Sequence, residues 1–446
     1  MSAEARLLDA VARALRGAAP IPALSVAYSG GVDSSVLLEA MHRLGSRLGL
    51  PPLRALHVDH GLERDSARWL AHCRDACARR AVVFESMRVD ARAARGESPE
   101  AAAREARYRA LAQALAPAEL LCTAHHADDQ AVTVLLNLLR GSGVSGMAGM
   151  AVERALPPGR LLRPLLSVRR HDIEACAAAW DLRWVEDPSN QRARHPRNRL
   201  RLQLLPLLET IAPGATSAIA RTARLQRDAS ASVDELARLD LHACRGAAAG
   251  LLSRVALARL APRRRLAALR VWLRDAGIRP PGEARLREAA RQLAEAGVDR
   301  MPRIVWSDGE LRAGAGQVAA IRGAPAAAPR PDAVWQWHLD TVLRLPIGCL
   351  RAQPAIGAGL AAGGPLQVCF RRGGERCRPA GRAHSQTLKR LFQERRVPAW
   401  ERARLPLLYR DGELAAVADL WVCHGHEAPA GEPGWRVCWE PSRGGA

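Results

Sequence analysis

The chain has 446 residues, long for a single hydrophobic core, so two or three domains are expected. Its hydrophobic fraction of 48% and charged fraction of 25% are those of a soluble globular protein. No run approaches the roughly 18 uninterrupted apolar residues of a membrane span, and the acid-bearing start MSAEARLLDAVARALRG is not a signal peptide. A cytoplasmic location with no membrane partner is therefore expected. Lys+Arg 66 against Asp+Glu 45 leaves a net charge of +21, which favours a polyanion such as nucleic acid. Lys389 is the only lysine, so a compositional bias towards Arg is the competing explanation of that charge. The ten cysteines are scattered without a CxxC pair, as expected of reduced thiols and not of a disulfide framework or zinc knuckle.

The first half alternates strand and helix signals. Strands are expected at 24–28, 53–58, 82–89 and 119–126, with a fifth at Arg183–Asp187. Helices are expected at 34–44, around 65–80, after Ser98-Pro99-Glu100, and at 131–140. Such β-α repeats imply a doubly wound α/β fold, a parallel five-stranded sheet with helices on both faces. Ligands in such sheets bind beyond the carboxyl ends of the strands. From 211 to 325 the pattern turns helical and Arg/Ala-rich, and 326–365 reads as a linker. A small α+β unit over 366–446 holds helix 385–396 and a hairpin signal at Asp411-Gly412.

The strongest chemical signal is Ser29-Gly30-Gly31-Val32-Asp33-Ser34, directly after a strand and before a helix. The glycines let backbone N–H groups approach an anion, and the helix N-terminus adds donors and dipole. Ser29 and Ser34 add hydroxyls. No Walker lysine follows, and an acid inside a phosphate loop repels its ligand unless a cation bridges them; Asp33 thus suggests Mg²⁺ shared with pyrophosphate.

This string resembles the PP-loop of the N-type ATP pyrophosphatases, which split ATP between its α and β phosphates. Further motifs narrow the resemblance: His57-Val58-Asp59-His60-Gly61-Leu62, Glu100-x3-Arg104-x2-Arg107-Tyr108, and Thr123-Ala124-His125-His126-Ala127-Asp128-Asp129-Gln130. They continue with Arg140-Gly141-Ser142-Gly143, Arg163-Pro164-Leu165-Leu166, Trp184-Val185-Glu186-Asp187-Pro188-Ser189-Asn190 and Arg197-Asn198-Arg199-Leu200-Arg201. The ordered set is similar to that of the tRNA(Ile)-lysidine synthetases over roughly 20–210, and more loosely to the end through Leu388-Lys389-Arg390-Leu391-Phe392-Gln393-Glu394.

That resemblance implies ATP at Ser29–Ser34 with an adenine or ribose contact from His57, and Mg²⁺ on Asp33 with Asp129 as second ligand or substrate contact. It implies catalytic roles for Asp33, Arg107, His126 and Asp129, the last with its neighbour Asp128 partly a helix cap. His125, Glu186, Arg197, Asn198 and Arg201 are expected against the RNA or lysine substrate, and Lys389 and Arg390 against the tRNA body. The implied partners are the CAU-anticodon isoleucine tRNA and L-lysine, with no DNA; oligomeric state stays open, a homodimer among the options. The implied domains are 1–210 for catalysis, 211–325 and 366–446 for tRNA binding. The competing readings are a thiolase-like PP-loop modifier, disfavoured by the missing CxxC, and a catalytically silent tRNA-binding homologue. One departure favours the second: the family's DDxxET carries Val132 in place of Glu, so either an acid such as Glu186 substitutes or catalysis is impaired. His195 is a lesser departure, where a Tyr often stands.

Overall fold

The computed structural model describes residues 2–59, 66–90, 99–186, 196–246, 249–296, 301–314, 316–323, 332–395 and 397–441. Residues 60–62, 187–190, 195 and 324–331, all part of motifs or linkers above, lie outside them. Two compact units are present, Met1–Ser232 and Val233–Ala446.

In the first unit the order is α1 (Ala3–Gly17), β1 (Leu24–Ala27), α2 (Val32–Leu48), β2 (Leu53–Asp59), α3 (Ser66–Ala78), β3 (Val83–Arg88), α4 (Pro99–Ala114) and β4 (Leu120–Cys122). There follow α5 (Ala127–Leu139), α6 (Val144–Met147), the hairpin β5 (Glu153–Leu156) and β6 (Gly159–Leu162), α7 (Arg170–Ala179), α8 (Pro196–Arg199), a π turn Leu200–Leu204 and α9 (Leu205–Ile211). The sheet runs β3-β2-β1-β4-β6-β5. Five strands are parallel and β5 pairs antiparallel to β6 at the edge.

The strands place alternate residues on opposite faces, as the period of two requires. Leu120 and Cys122 join Leu162 in one core with α1, α2, α3 and α7, while Leu121 and Leu161 join a second core with Leu111 of α4 and Leu115 just beyond it. Helix α1 starts on a Ser2 cap, its hydroxyl accepting from the Ala5 N–H at 3.1 Å. Strand order reverses between β1 and β4, each of which has a partner on the other side. The crevice beyond their carboxyl ends is the topological switch point where such sheets hold ligands.

The fifth parallel strand is not where the sequence suggested. It is β6, reached through the Pro157-Pro158 turn, whereas Arg183–Glu186 forms no strand. Its Val185 N–H instead donates to the Gly30 carbonyl at 2.9 Å. A four-residue strand interrupted by arginine and preceded by two prolines carries too little pattern to read as a buried strand.

In the second unit, helices Arg254–Arg259, Pro262–Asp275 and Glu283–Glu295 share a core with an antiparallel sheet of Leu252–Ser253, Gln317–Arg322, Gly309–Gly314 and Arg303–Trp306. The helices expected over 211–325 are thus joined by strands. Residues 326–365 also differ from a linker: Val334–Trp337 pairs with Leu366–Cys369, and Gly348–Ile356 pairs along its length with Pro433–Pro441. The expected C-terminal helix is present as Leu388–Glu394, and Leu407–Arg410 and Glu413–Val417 form the expected hairpin, with Asp411 and Gly412 at φ 50° and 81°. All ten cysteines are free, though not all are scattered: the Cys377 and Cys423 sulfurs lie 2.6 Å apart.

Candidate active site

The PP-loop connects β1 to α2. Gly30 holds φ 83°, and a Cβ there would come 2.7 Å from Cys73 Sγ of α3, so only glycine fits both backbone and space. Ser29 Oγ and Ser34 Oγ lie 3.1 Å apart, and Ser34 donates to the Gly31 carbonyl at 3.0 Å. No side chain caps α2. The N–H groups of its first turn have no acceptor within the helix by construction, and they face the strand ends as an anion site. His57, expected at the adenine or ribose, is buried with Nδ1 2.9 Å from the Tyr28 carbonyl. That contact anchors the residue from which the loop departs.

The loop after β4 meets the PP-loop from the other side of the switch point. His126 is 2% exposed, its Nε2 3.8 Å from Asp33 Oδ1 and 3.5 Å from Asp129 Oδ2, its Nδ1 3.5 Å from Asp128 Oδ2. Burial alone would lower the pKa of His126, yet Asp129, Asp128 and Asp33 together raise it, so the ring is held towards its charged form. Asp129 is pushed up by burial and brought below the carboxylate range chiefly by His126, with Arg197 helping. Its Oδ1 accepts from Arg197 Nη2 at 2.9 Å, and its Oδ2 accepts from the His126 N–H at 3.3 Å. Asp128 accepts from the Arg170 N–H at 2.9 Å, so it caps α7, not α5.

His125 behaves oppositely. Burial, aided by Arg163, Arg104 and Arg107, lowers its pKa to about 3, and its Nδ1 lies 3.0 Å from Thr123 Oγ1. One histidine of the pair is therefore neutral and the other tends to be cationic. Burial lowers the pKa of Arg107 too, with Arg104 and Arg197 adding to the effect.

Asp33 is raised, first by burial and then by Asp129, against His126 and Arg170. Its Oδ1 is buried and has no hydrogen-bond partner. An orphaned carboxylate oxygen, with a second carboxylate sharing the same imidazole nitrogen, fits a divalent cation. No group of three or more metal-ligating side chains gathers among the described residues. Two carboxylates completed by substrate phosphates and water are what Mg²⁺ commonly uses.

The structure brings together Ser29–Ser34, Asp33, His57, His125, His126, Asp129 and Arg197 at these strand ends. Glu186 is exposed, next to the residue that bonds Gly30. Asn198 and Arg201 are half-buried on α8 and the π turn, and burial lowers the Arg201 pKa, with Arg170 adding. Lys389 and Arg390 are exposed on Leu388–Glu394 in the other unit. Sequence reading gave no role to Arg163, which is 4% exposed, or to Arg170, whose charge acts on Asp33. Arg163 opens a quoted motif, and burial of an arginine cannot be seen in one.

Val132 is 1% exposed, packed with Ala131 against Leu200 and Leu205. The place the resembling family gives to a carboxylate is here apolar packing between α5 and the π turn.

A parallel sheet with a glycine phosphate loop at its switch point and carboxylates opposite defines the PP-loop class of ATP-using enzymes. A family model for the PP-loop domain matches residues 4–208, and models for the TilS substrate binding domain and the TilS substrate C-terminal domain match 252–319 and 366–439. The tRNA(Ile)-lysidine synthase of Alkalilimnicola ehrlichii is 43% identical over 97% of this chain and 96% of its own length. Those of Pseudomonas fluorescens and Coxiella burnetii are 40% and 38% identical, over 98% and 94% of this chain and 97% and 93% of theirs. The chain belongs to the tRNA(Ile)-lysidine synthase family.

Two outcomes are expected. Gly30→Ala lowers kcat/KM for ATP by roughly 100-fold, because the loop must shift to clear Cys73; an unchanged value means the loop does not hold ATP. Val132→Glu puts a carboxylate among Leu200 and Leu205 and costs about 3 kcal/mol, read as a lower Tm, with no gain in product. A gain would show that the missing acid limits this chain.

Proposed function

We propose that this site joins lysine to C2 of the wobble cytidine of the CAU-anticodon isoleucine tRNA in two steps, at the expense of ATP. In the first, the C2 carbonyl oxygen attacks the α-phosphorus, the bond to the β-phosphate breaks, and pyrophosphate leaves. In the second, the amine of free lysine attacks C2, and AMP departs with the oxygen. The observation that carries this reading is the buried, unpartnered Asp33 Oδ1 facing the His126–Asp129 pair across the switch point.

Asp33 and Asp129 would hold Mg²⁺, which when bound offsets phosphate charge and orients the leaving pyrophosphate. The α2 N-terminus and the hydroxyls of Ser29 and Ser34 hold the phosphates. Arg107, fixed and partly desolvated, stabilises charge as it builds at the α-phosphorus. His126, whose charged form the three carboxylates favour before a cation binds, would release its proton once their charge is taken up by Mg²⁺ and is then placed to handle a proton in the reaction. His125, neutral, offers a hydrogen bond to the base without repelling the arginines around it. Glu186 supplies the negative charge for the lysine ammonium, and Arg197, Asn198 and Arg201 line the RNA side. His57 sets the loop's departure point and so acts on ATP through Tyr28.

We assign residues 1–210 to catalysis and 211–325 with the C-terminal body to the grip on tRNA, mostly through phosphates. No helix among the described residues is long and apolar enough to cross a membrane, and we place the reaction in the cytoplasm.

Asp33→Ala should reduce tRNA-dependent ATP–pyrophosphate exchange by about 100- to 1,000-fold while tRNA affinity stays near the wild-type value. Exchange at the wild-type rate would remove the loop from the mechanism. Lys389→Ala and Arg390→Ala should each flatten the salt dependence of tRNA binding by about one unit of log slope. An unchanged slope in filter binding would return the charge of that helix to the bias towards arginine.

A further inference from the structure

Five guanidinium groups meet near the carboxyl ends of β4 and β6, and among the described residues one of them, Arg197, pairs with a carboxylate, Asp129. Around the Tyr108 ring, Arg154, Arg104 and Arg107 place Cζ 5.0, 5.1 and 5.6 Å from the centroid. Arg163, buried at the end of β6, donates from Nη1 to the Ala151 carbonyl at 2.6 Å, while its buried Nε and the buried Tyr108 hydroxyl have no partner. Arg197, the fifth, takes up Asp129. Arg104, Arg107, Arg154 and Arg163 make no ion pair among the described residues.

Arginine bias does not account for this. Other arginines of the same unit lie beside acids: Arg109 on α4 pairs with Glu105 at 2.9 Å, Arg160 on β6 with Glu153 at 2.8 Å, and Arg170 on α7 with Glu174 at 2.8 Å. The cluster stands out because three of its members, Arg104, Arg107 and Arg154, lie over one ring and within reach of each other's charge. Like charges so placed cost free energy until an anion arrives. With the phosphates of ATP assigned to the PP-loop and Arg107, the outer members of this second concentration of charge, Arg104 and Arg154, are left for another anion. It is graded from the exposed Arg104 and Arg154, through half-buried Arg107, to buried Arg163 beside His125. A ring flanked by guanidinium groups is a surface for an RNA strand whose base has left its stack, with phosphate outside and base inside.

We infer that Arg104, Tyr108 and Arg154 form a cradle for an RNA phosphodiester next to the reacting cytidine, holding the strand so that its base enters the site. The cradle rests on the RNA-modifying reading above. Its ligand chemistry, a phosphate oxygen, could also come from the triphosphate of ATP, and the two sources separate by experiment.

Binding of a labelled CAU anticodon stem-loop is measured across a KCl series for the wild type, Arg104→Ala, Arg154→Ala and the double variant. Both residues are exposed, so the fold is expected to survive; Arg154→Lys keeps the charge, and Arg109→Ala removes a paired arginine from the same helix. Each alanine at the cradle should flatten the log–log salt slope by about 0.7 to 0.9, additively in the double variant, while Arg154→Lys and Arg109→Ala leave it unchanged. Affinity for a nonhydrolysable ATP analogue without RNA should stay at the wild-type value. Wild-type slopes in the double variant would overturn the cradle. A fall in analogue affinity with an unchanged RNA slope would overturn it too, assigning the cluster to the triphosphate. A wild-type chain that fails to bind the stem-loop would instead sink the RNA-modifying reading, and the cradle with it.

Discussion

The imidazole of His126 stands between the carboxylates of Asp33 and Asp129, 3.8 and 3.5 Å from Nε2. Asp33 belongs to the first turn of the helix after β1 and Asp129 to that of the helix after β4, so this contact ties together the two sides of the switch point. Its energetics are those of a buried ionic cluster, in which desolvation is repaid only if opposite charges stay close. Take away the histidine and two carboxylates face each other in a partly dry crevice. Take away either carboxylate and a buried imidazole loses the charge that keeps its proton. The order of elements serves this contact: β1 and β4 are adjacent, Asp128 caps α7 from behind, and Arg197 reaches Asp129 from α8.

What could be read in the sequence followed from how local the physics is. A phosphate loop is six consecutive residues at a strand-to-helix junction, and Gly30 at φ 83° against Cys73 shows why glycine stands there. The hairpin at Asp411-Gly412 is equally local. By contrast, Gly348–Ile356 is a strand because Pro433–Pro441 lies beside it, some 80 residues later, and nothing in its own nine residues demands that partner. Strand β6 is similar, made secure by Leu161 and Leu162 entering two cores that other elements build. Of the site, the residue types and their order were legible. Their division of labour was not, because it depends on burial: adjacent histidines, His125 and His126, take opposite protonation preferences from arginines and aspartates that lie up to dozens of residues away.

Val132 shows the same limit from another direction. By sequence it is a missing acid, whereas in the fold it is a packing residue holding α5 to the π turn. The turn leads from α8, which carries Arg197 to Asp129. Apolar contact at 132 therefore supports the ion pair one helical turn away, and an extended acid at that position would have to be accommodated by moving the turn. Loss of a charge and gain of a brace are the same substitution seen locally and in context.

The site as a whole is electrically lopsided, and that decides what it can bind. Asp33, Asp128 and Asp129 gather at the end nearest the PP-loop, answered by His126, Arg170 and Arg197. Arg104, Arg107, Arg154 and Arg163 gather at the other end and make no ion pair among the described residues. The first end combines carboxylates with the phosphate loop, suiting a cation carried with phosphates, whereas the second offers positive charge alone. On the reading proposed above, ATP engages the PP-loop and Arg107, which leaves Arg104, Arg154 and Arg163 without a counter-charge. In the cradle inferred above, an RNA phosphodiester whose base turns towards His125 supplies that counter-charge. The excess of arginine in the chain supplies the groups, and what distinguishes these four is that they make no ion pair among the described residues.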